Sequence, residues 1–206
     1  LIGRNARAED VRRALDLISS SWRKDWSLDI ISLLPGETPA GKSRRENMDI
    51  ASPDNTDIEE ALRYRPDHIS LYGLTPEPGT PLFEKIRSGR LKLPEEGVGA
   101  EILKTQWAFL EKSGFIHYEV SNFAAGEKKK SLHNLRYWRL EPYLGIGPGA
   151  VSTLRGAEGP VRMRFLPDIS LYTSRKTAPG QARTEVERIS PFSFLLEHLI
   201  DRKSVV

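Results

Sequence analysis

The first two thirds of the chain alternate between helical patterns and short apolar runs. Val11, Leu15 and Ile18 recur at helical spacing, which predicts a helix over residues 8–20. Residues 28–34 form a run rich in Ile and Leu that ends at a Pro-Gly pair, as is typical of a buried parallel strand. Further elements are predicted as a helix at 58–64, a strand at 68–74, a helix at 94–113 and a strand at 115–123.

This order of elements predicts an α/β fold. Strands and helices alternate with connections long enough for right-handed crossovers, so we expect a parallel sheet or a partial (β/α) barrel. In such folds the chemistry lies at the carboxyl ends of the strands. The polar stretch at residues 39–57 is predicted to be a loop between two of these elements.

The alternation of helical patterns and short apolar runs becomes less regular after residue 152. Residues 153–200 are predicted to be the start of a second, truncated domain, with an apolar helical stretch at 192–200. We interpret residues 201–206 as an appended scar and exclude them from the fold. Because the chain opens on Leu1 without a Met, we expect the natural N-terminus to lie upstream.

Composition and charge narrow the classes of function. The 206 residues are 38% hydrophobic, which is enough for one real core. Lys and Arg number 31 against 28 acidic residues and are scattered, so nucleic-acid binding is not expected. No apolar run approaches the roughly 20 residues that span a bilayer, which predicts a cytoplasmic protein with at most peripheral membrane association.

The chain contains no cysteine. It therefore has neither the residues for a disulfide framework nor a thiolate to hold a metal. The Gly-rich segment at residues 145–149 lacks the GxGxxG spacing of a nucleotide cradle, and we predict that it forms tight backbone turns near a ligand. His68 and His117 have no metal-ligating neighbours at useful spacing, so we predict structural roles for both.

Six short blocks occur in a fixed order, most of them at the ends of predicted strands. They are residues 33–38 (LLPGET), 66–72 (PDHISLY), 77–82 (EPGTPL), 118–124 (YEVSNFA), 133–138 (HNLRYW) and 143–150 (YLGIGPGA). The ordered set resembles the radical S-adenosylmethionine (SAM) family of oxygen-independent coproporphyrinogen oxidases and haem chaperones. The resemblance extends over about residues 2–152, and the set of six is far more specific than any single block.

The resemblance implies that residues 1–152 are the C-terminal half of a partial (β/α) barrel that holds a [4Fe-4S] cluster and SAM. Members of this family hold the cluster with three cysteines near the first strand. We expect those ligands in a missing N-terminal part, and we expect this chain to be inactive alone, because an iron-sulfur cluster needs thiolates. Whether the protein is an enzyme stays open, and no residue is assigned a catalytic role.

Four residues match SAM-binding positions of the family: Arg4, Asp29, Thr75 and Val151. A guanidinium at Arg4 suits the carboxylate of a methionyl group, and Asp29 suits a hydroxyl or ammonium donor. The alternative is a structural ion pair between Arg4 and Asp29 with no ligand. Thr75 and Val151 match positions near the adenosine, although family members commonly have His where this chain has Val151.

The His-Asn-x-x-Tyr-Trp block at residues 133–138 resembles the haem-chaperone branch, where it is associated with haem binding. The resemblance makes His133 the candidate ligand of haem iron, since imidazole is a common axial ligand. Tyr137 and Trp138 would offer aromatic surface to the macrocycle. The alternative is that His133 is a hydrogen-bonded packing residue beside aromatic rings.

Two functions remain from different classes. In the first, the intact protein binds haem or a related porphyrin and passes haem to acceptor proteins. In the second, it is an oxygen-independent coproporphyrinogen III oxidase that converts its substrate to protoporphyrinogen IX by radical chemistry. The block at residues 133–138 favours the first, and a defective gene with neither activity is a third outcome.

Overall fold

A computed structural model describes residues 7–37, 56–157, 159–173 and 183–202. The chain divides into two compact units, Leu1–Lys130 and Ser131–Val206. The boundary predicted between a domain of residues 1–152 and a second domain of residues 153–200 stays a prediction. Most of the loop predicted at residues 39–57 lies outside the described residues, as does Arg4.

The described part of the first unit contains a four-stranded sheet and four α-helices. The sheet has the order β1-β2-β4-β3, in which β1 and β2 run parallel and the other neighbours run antiparallel. The helices are Ala8–Ser21 (α1), Thr56–Arg63 (α2), Pro81–Arg87 (α3) and Glu96–Lys112 (α4), and the strands are Ser27–Ser32 (β1), His68–Gly73 (β2), Ile116–His117 (β3) and Asn122–Ala124 (β4).

The described part of the second unit is built on a three-stranded antiparallel sheet of order β5-β6-β7. Its strands are Val151–Gly156 (β5), Gly159–Phe165 (β6) and Arg183–Arg188 (β7), and its helices are Leu132–Trp138 (α5), Ile169–Thr173 (α6) and Pro191–Arg202 (α7). The helix predicted at residues 192–200 is confirmed as part of α7. No helix in the described ranges of either unit is long and apolar enough to cross a bilayer.

Apolar side chains on one face of the four-stranded sheet form the core of the first unit. Ile69 and Leu71 of β2 and Phe123 of β4 are at most 2% exposed, and they cluster with Ile58 of α2 and Leu110 of α4. Burying a side chain of this size stabilises the fold by about 1.5–3 kcal/mol. This apolar layer therefore holds the sheet against its helices.

The opposite face of the same sheet is polar, because alternate residues of a strand point to opposite sides. Asp29 of β1 pairs with Ser70 of β2, which in turn pairs with Asn122 of β4. His68, Ser70 and Asn122 are buried although they are polar, whereas Asp29 is exposed. We call this surface, defined by Ser27, Asp29, His68, Ser70 and Asn122, the polar face.

Most predicted elements of the first unit are confirmed to within about two residues at each end, namely α1, β1, α2, β2 and α4. β1 stops before residue 34 because Leu33 adopts a left-handed φ of 61°. Helix α3 is an addition to the predicted elements. It begins because Thr80 accepts the N–H of Phe83 at 3.2 Å and Pro81 occupies the first turn.

The single strand predicted at residues 115–123 is wrong. The chain forms a hairpin there, in which β3 and β4 pair antiparallel with Ile116 opposite Ala124. The N–H of Tyr118 donates to the carbonyl of Asn122 at 3.2 Å and closes the turn.

The α/β class is confirmed, but the sheet is mixed rather than parallel. Among the strands that the structure describes, β1 and β2 are the one parallel pair. The hairpin returns β4 alongside β2 in the antiparallel direction, which is why the parallel order stops there. Within the described residues both sheets are open.

Candidate functional site

Helix α5 carries the three residues that the sequence assigns to haem. Ser131 caps the helix, since its Oγ accepts the N–H of Asn134 at 3.3 Å. His133 is exposed, and its ring centroid lies 4.9 Å from that of Tyr137 at an interplanar angle of 69°. One helical turn separates the two residues and brings their rings together. Trp138 is half-buried at the end of the helix.

A row of three rings links α5 to the antiparallel sheet of the second unit. The ring of Tyr137 lies 4.9 Å from His133 and 4.6 Å from Tyr143. Two backbone hydrogen bonds, of 2.8 and 3.0 Å, fix Tyr143 against Thr153 of β5. The imidazole of His133 therefore lies at one end of an anchored aromatic surface.

Two rings of this row, those of Tyr137 and Tyr143, line a cavity of about 370 Å³. Its walls come from α5, from the loop that follows it, from β5 and β6, and from α7. We call it the aromatic cavity, and its defining side chains are Tyr137, Trp138, Tyr143, Phe194, Arg162 and Glu197. Its volume falls within the range of roughly 300–1,000 Å³ that small-molecule sites occupy.

An ion pair lies in the wall of the aromatic cavity. Nη1 and Nη2 of Arg162 donate to the two carboxylate oxygens of Glu197 at 3.2 and 3.0 Å. The hydrogen bond to Glu197 raises the pKa of Arg162, and the charge of Glu187 adds to the effect, so the guanidinium stays charged. Both side chains of the pair remain about one third exposed, at 33% and 34%.

No cluster of three or more His, Asp or Glu side chains in the described ranges could hold a bare metal ion. Haem iron makes a smaller demand, because the porphyrin supplies most of the ligands and the protein adds one or two axial groups. A single exposed imidazole such as His133 meets that demand.

His68 lies in a hydrogen-bonded chain on the polar face of the first unit. Its Nδ1 is 2.8 Å from Oγ of Ser27, and its Nε2 is 2.7 Å from the hydroxyl of Tyr118. Burial lowers the pKa of His68, and the charge of Asp29 opposes the effect in part. These contacts are those of a neutral, structural histidine.

Asn122 gives the polar face an unsatisfied acceptor. Its Oδ1 is buried and has no hydrogen-bond partner within the part of the chain that the structure describes. A buried polar atom without a partner costs roughly 1–3 kcal/mol. Such a cost is tolerated where a ligand supplies the missing donor, so the polar face is a second candidate site for a ligand that donates hydrogen bonds.

The structure describes three of the four residues assigned to SAM. Asp29 lies on the polar face, three residues before the end of β1. Thr75 is exposed in the loop after β2. Val151 is the first residue of β5 in the second unit and is half-buried. Arg4 lies outside the described residues, so its pairing with Asp29, with or without a ligand, stays a prediction.

The block at residues 33–38 fixes the loop that leaves β1. The Glu37 carboxylate accepts hydrogen bonds from Oγ of Ser32 at 3.1 Å and from Nε2 of Gln106 at 3.0 Å. It also accepts the N–H of Leu34 at 2.8 Å. Because Gln106 belongs to α4, the carboxylate ties the carboxyl end of β1 to that helix.

The tight turns predicted at residues 145–149 are confirmed. A Cβ on Gly145 would lie 2.1 Å from the carbonyl oxygen of Val151, so no larger residue fits there without a shift of the backbone. Gly147 and Gly149 have φ values of 122° and 71°, which favour glycine. The predicted nearness of a ligand to this segment stays a prediction.

Half of the side chains that define the aromatic cavity were not predicted from the sequence. Arg162 lies in a strand and has the pattern of an ordinary outward-facing residue. Phe194 and Glu197 are three residues apart on α7, a spacing that puts them on one helix face, but nothing local links that face to α5. Tyr143 could have been identified from the sequence, because it is the first residue of one of the six ordered blocks.

Two heme chaperones match almost the whole chain. The chain is 31% identical to heme chaperone HemW of Lactococcus lactis over 198 residues, which cover 96% of the chain and 47% of that protein. It is 32% identical to heme chaperone HemW of Synechocystis sp. over 204 residues, which cover 97% of the chain and 45% of that protein.

A mitochondrial relative matches a shorter stretch at higher identity. The radical S-adenosyl methionine domain-containing protein 1, mitochondrial, of Danio rerio is 44% identical over 124 residues, which cover 60% of the chain and 25% of that protein. The chain thus spans between a quarter and about half of the length of these relatives.

The fold is also found in a solved structure, that of coproporphyrinogen III oxidase (HemN) from Escherichia coli, described as a radical SAM enzyme. The TM-score is 0.68 and the identity 17%, over 98% of this chain and 45% of that chain. At this identity the likeness establishes the fold alone. No protein-family profile matches the chain.

Proposed function

We propose that the intact protein binds haem and passes it to acceptor proteins, on the premise that this chain belongs to the radical SAM family that contains the haem chaperones. The observation that carries the proposal is the arrangement on α5, where exposed His133 contacts Tyr137 at the border of the aromatic cavity. Relatives named as heme chaperones match 96% and 97% of the chain, which supports the same conclusion.

The residue types on α5 are suited to binding haem. A ring nitrogen of His133 would ligate the iron, and Tyr137 and Trp138 would pack against the apolar macrocycle. Haem bound in this way is cargo, held by one axial protein ligand and a partly open aromatic surface. Exposure of His133 suits a carrier, because a carrier has to release the haem that it binds.

The alternative function is oxygen-independent coproporphyrinogen III oxidation. The likeness in fold to the Escherichia coli oxidase supports it. That likeness is at 17% identity, whereas the relatives named as heme chaperones are 31% and 32% identical over nearly the whole chain. The balance therefore favours haem transfer, and the oxidase remains the second candidate.

The partial (β/α) barrel and its SAM site are proposals of the same kind. We infer that residues 1–152 form the C-terminal half of such a barrel, with its interior lined by the polar face, and that 153–200 begin a smaller domain. The buried, unpaired Oδ1 of Asn122 supports a ligand with hydroxyl or ammonium donors, which SAM has. Arg4, Asp29, Thr75 and Val151 are the residues assigned to it.

SAM supplies a 5′-deoxyadenosyl radical when a reduced [4Fe-4S] cluster cleaves it. This chain has no cysteine, so its own residues do not fit such a cluster. In our proposal the cluster ligands belong to a part of the protein outside these 206 residues. No step through the cluster follows from the residues described.

The cellular setting is part of the proposal. We infer a cytoplasmic protein, at most peripherally associated with membranes, whose partners are haem and the proteins that accept it. Nucleic acid is not among the expected partners, because the 31 basic and 28 acidic residues nearly balance and form no basic stripe in the sequence.

A haem titration tests the proposed function. We expect His133→Ala to weaken haem binding by about tenfold or more, because it removes the axial nitrogen, and to shift the haem absorption band. Leu132→Ala is the matched control, since Leu132 is 69% exposed on the same helix and its truncation leaves the imidazole in place. Equal haem affinity of wild type and His133→Ala would remove the chaperone assignment.

A further inference from the structure

The aromatic cavity has four rings in its lining, supplied by α5, by the loop before β5 and by α7. They belong to Tyr137, Trp138, Tyr143 and Phe194. Tyr137 and Tyr143 form one corner, since their ring centroids lie 4.6 Å apart at an interplanar angle of 52°. The face of an aromatic ring carries negative electrostatic potential and attracts cations. Such a lining therefore suits a ligand that is apolar in outline and positively charged.

The charged groups of the lining leave an excess of negative charge. Two carboxylates, those of Glu141 and Glu197, stand against the single guanidinium of Arg162. That guanidinium is already bound, because Nη1 and Nη2 donate to the two carboxylate oxygens of Glu197 at 3.2 and 3.0 Å. The carboxylate of Glu187 flanks it from the neighbouring strand, 3.6 Å from Nη1. The uncompensated charge of the cavity is therefore the carboxylate of Glu141, which disfavours an anionic ligand and favours a cation.

The carboxylate of Glu141 is only loosely paired. Its Oε2 lies 3.7 Å from Nε of Arg136, beyond hydrogen-bond distance, and the Arg136 side chain is 70% exposed, so solvent screens the pair. The backbone before Glu141 brings it into the wall, because Leu140 adopts a left-handed φ of 53° and turns the chain at the end of α5. A leucine seldom adopts this conformation, and residues in such conformations are concentrated at ligand sites.

A quaternary ammonium group matches this lining better than a primary one. A primary ammonium brings three N–H donors that need acceptors, whereas a quaternary ammonium has no donor and binds through aromatic surface and charge. Both carboxylate oxygens of Glu197 already accept hydrogen bonds from Arg162, so the lining offers more aromatic surface than free acceptors. The volume of about 370 Å³ is large enough for a small organic cation.

We propose that the aromatic cavity binds a small organic cation with a quaternary ammonium group, held by its aromatic rings and by the carboxylate of Glu141. The inference goes beyond the proposed function, because it assigns to the cavity a ligand that is neither haem nor SAM. Tyr137 and Trp138 belong to both proposed sites. His133 does not line the cavity and Glu141 has no part in the haem assignment, so the two proposals are tested on different side chains.

Choline and its neutral isostere 3,3-dimethylbutan-1-ol test the role of charge at constant shape. In calorimetric titrations of the full chain, we expect choline to bind roughly three- to thirtyfold more tightly than the alcohol, because only the cation gains from the rings and from Glu141. Ethanolamine, which has a primary ammonium, should bind more weakly than choline. No binding of choline, equal affinity for choline and the alcohol, or tighter binding of ethanolamine would overturn the inference.

Variants of the lining locate the bound cation. Glu141→Gln should weaken choline binding by about threefold or more and leave the affinity for the alcohol unchanged, since it removes only the charge. Tyr143→Leu should also weaken choline binding, whereas Tyr143→Phe keeps the ring and should bind choline like the wild type. Leu132→Ala is the control on α5, and thermal melting of each variant shows whether a lost affinity is a lost fold. Choline affinity that is the same in wild type, Glu141→Gln and Tyr143→Leu would contradict binding in this cavity.

Discussion

Two histidines of this chain carry the same imidazole in opposite surroundings. His68 is 6% exposed, and both of its ring nitrogens lie within hydrogen-bond distance of a hydroxyl. His133 is exposed and contacts an aromatic ring at the border of a cavity. A metal ligand needs an accessible nitrogen lone pair, so the surroundings favour a structural role for His68 and leave the imidazole of His133 accessible for the ligand role that we propose.

The buried state of His68 makes stability depend on pH. Burial lowers the pKa of His68, so below the ordinary value of about 6.5 the unfolded chain takes up a proton that the folded chain resists. The free energy of unfolding should therefore fall as the pH drops from 7.5 to 5.5. Asp29 and Tyr118 are the titratable groups that face the ring, and the Asp29 carboxylate moderates the effect.

Urea unfolding of wild type and His68→Gln at pH 7.5 and 5.5 measures this dependence. We expect the variant to be less stable than wild type at pH 7.5, because the substitution disturbs the hydrogen bonds that link Ser27, residue 68 and Tyr118. We also expect it to lose less stability than wild type on acidification. Parallel losses in the two proteins would contradict the assignment of the pH dependence to His68.

The elements divide into those that a local pattern determines and those that depend on distant contacts. The periods of α1 and α4 and the apolar run of β1 were sufficient to predict them. The hairpin of β3 and β4 was not predictable in this way, since residues 119–121 contain none of the Gly, Asn or Pro that mark a turn and Val120 favours strands. Pairing with β2 and β3 decides the conformation there.

Helix α3 is a different case, because its signal was present. Thr80 followed by Pro81 is the usual start of a helix, and the turn-rich residues just before them obscured it. The aromatic cavity, in contrast, has no local signal for its charged pair, because Arg162 and Glu197 lie 35 positions apart in the sequence and form their hydrogen bonds only in the folded chain. A local pattern does not contain that contact.

The close approach at Gly145 gives a prediction for the turn before β5. Gly145→Ala should destabilise the protein by about 1–3 kcal/mol, because the added Cβ would lie 2.1 Å from the Val151 carbonyl oxygen. Gly97→Ala is the matched control, since nothing lies within 4 Å of a Cβ there and alanine favours the helix by up to about 1 kcal/mol. Thermal unfolding of both variants checks the contrast. Equal effects of the two substitutions would contradict the packing at Gly145.

For the molecule as a whole, the order of six short blocks predicted the family, which the relatives confirm. The same sequence excluded a thiolate site, because it contains no cysteine. What the blocks did not predict is the second unit, whose antiparallel sheet and α7 complete the aromatic cavity. Those elements lie largely outside the blocks, and their contribution is visible only in the fold.

Because these 206 residues include no cysteine, we expect the chain not to assemble an iron-sulfur cluster. Anaerobic treatment with iron and sulfide should leave it without the absorption of a [4Fe-4S] cluster, and reduced protein should form no 5′-deoxyadenosine from SAM. A ferredoxin treated in parallel serves as the positive control for reconstitution. Appearance of a cluster on this chain would contradict the prediction.

The central claim is that an imidazole of α5 ligates haem iron, and the identity of that ligand is measurable. Electron paramagnetic resonance of the ferric haem complex of the full chain should show nitrogen ligation, His133→Gly should lose it, and free imidazole added to His133→Gly should restore it. A spectrum that is the same for wild type and His133→Gly, with no response to imidazole, would contradict the claim.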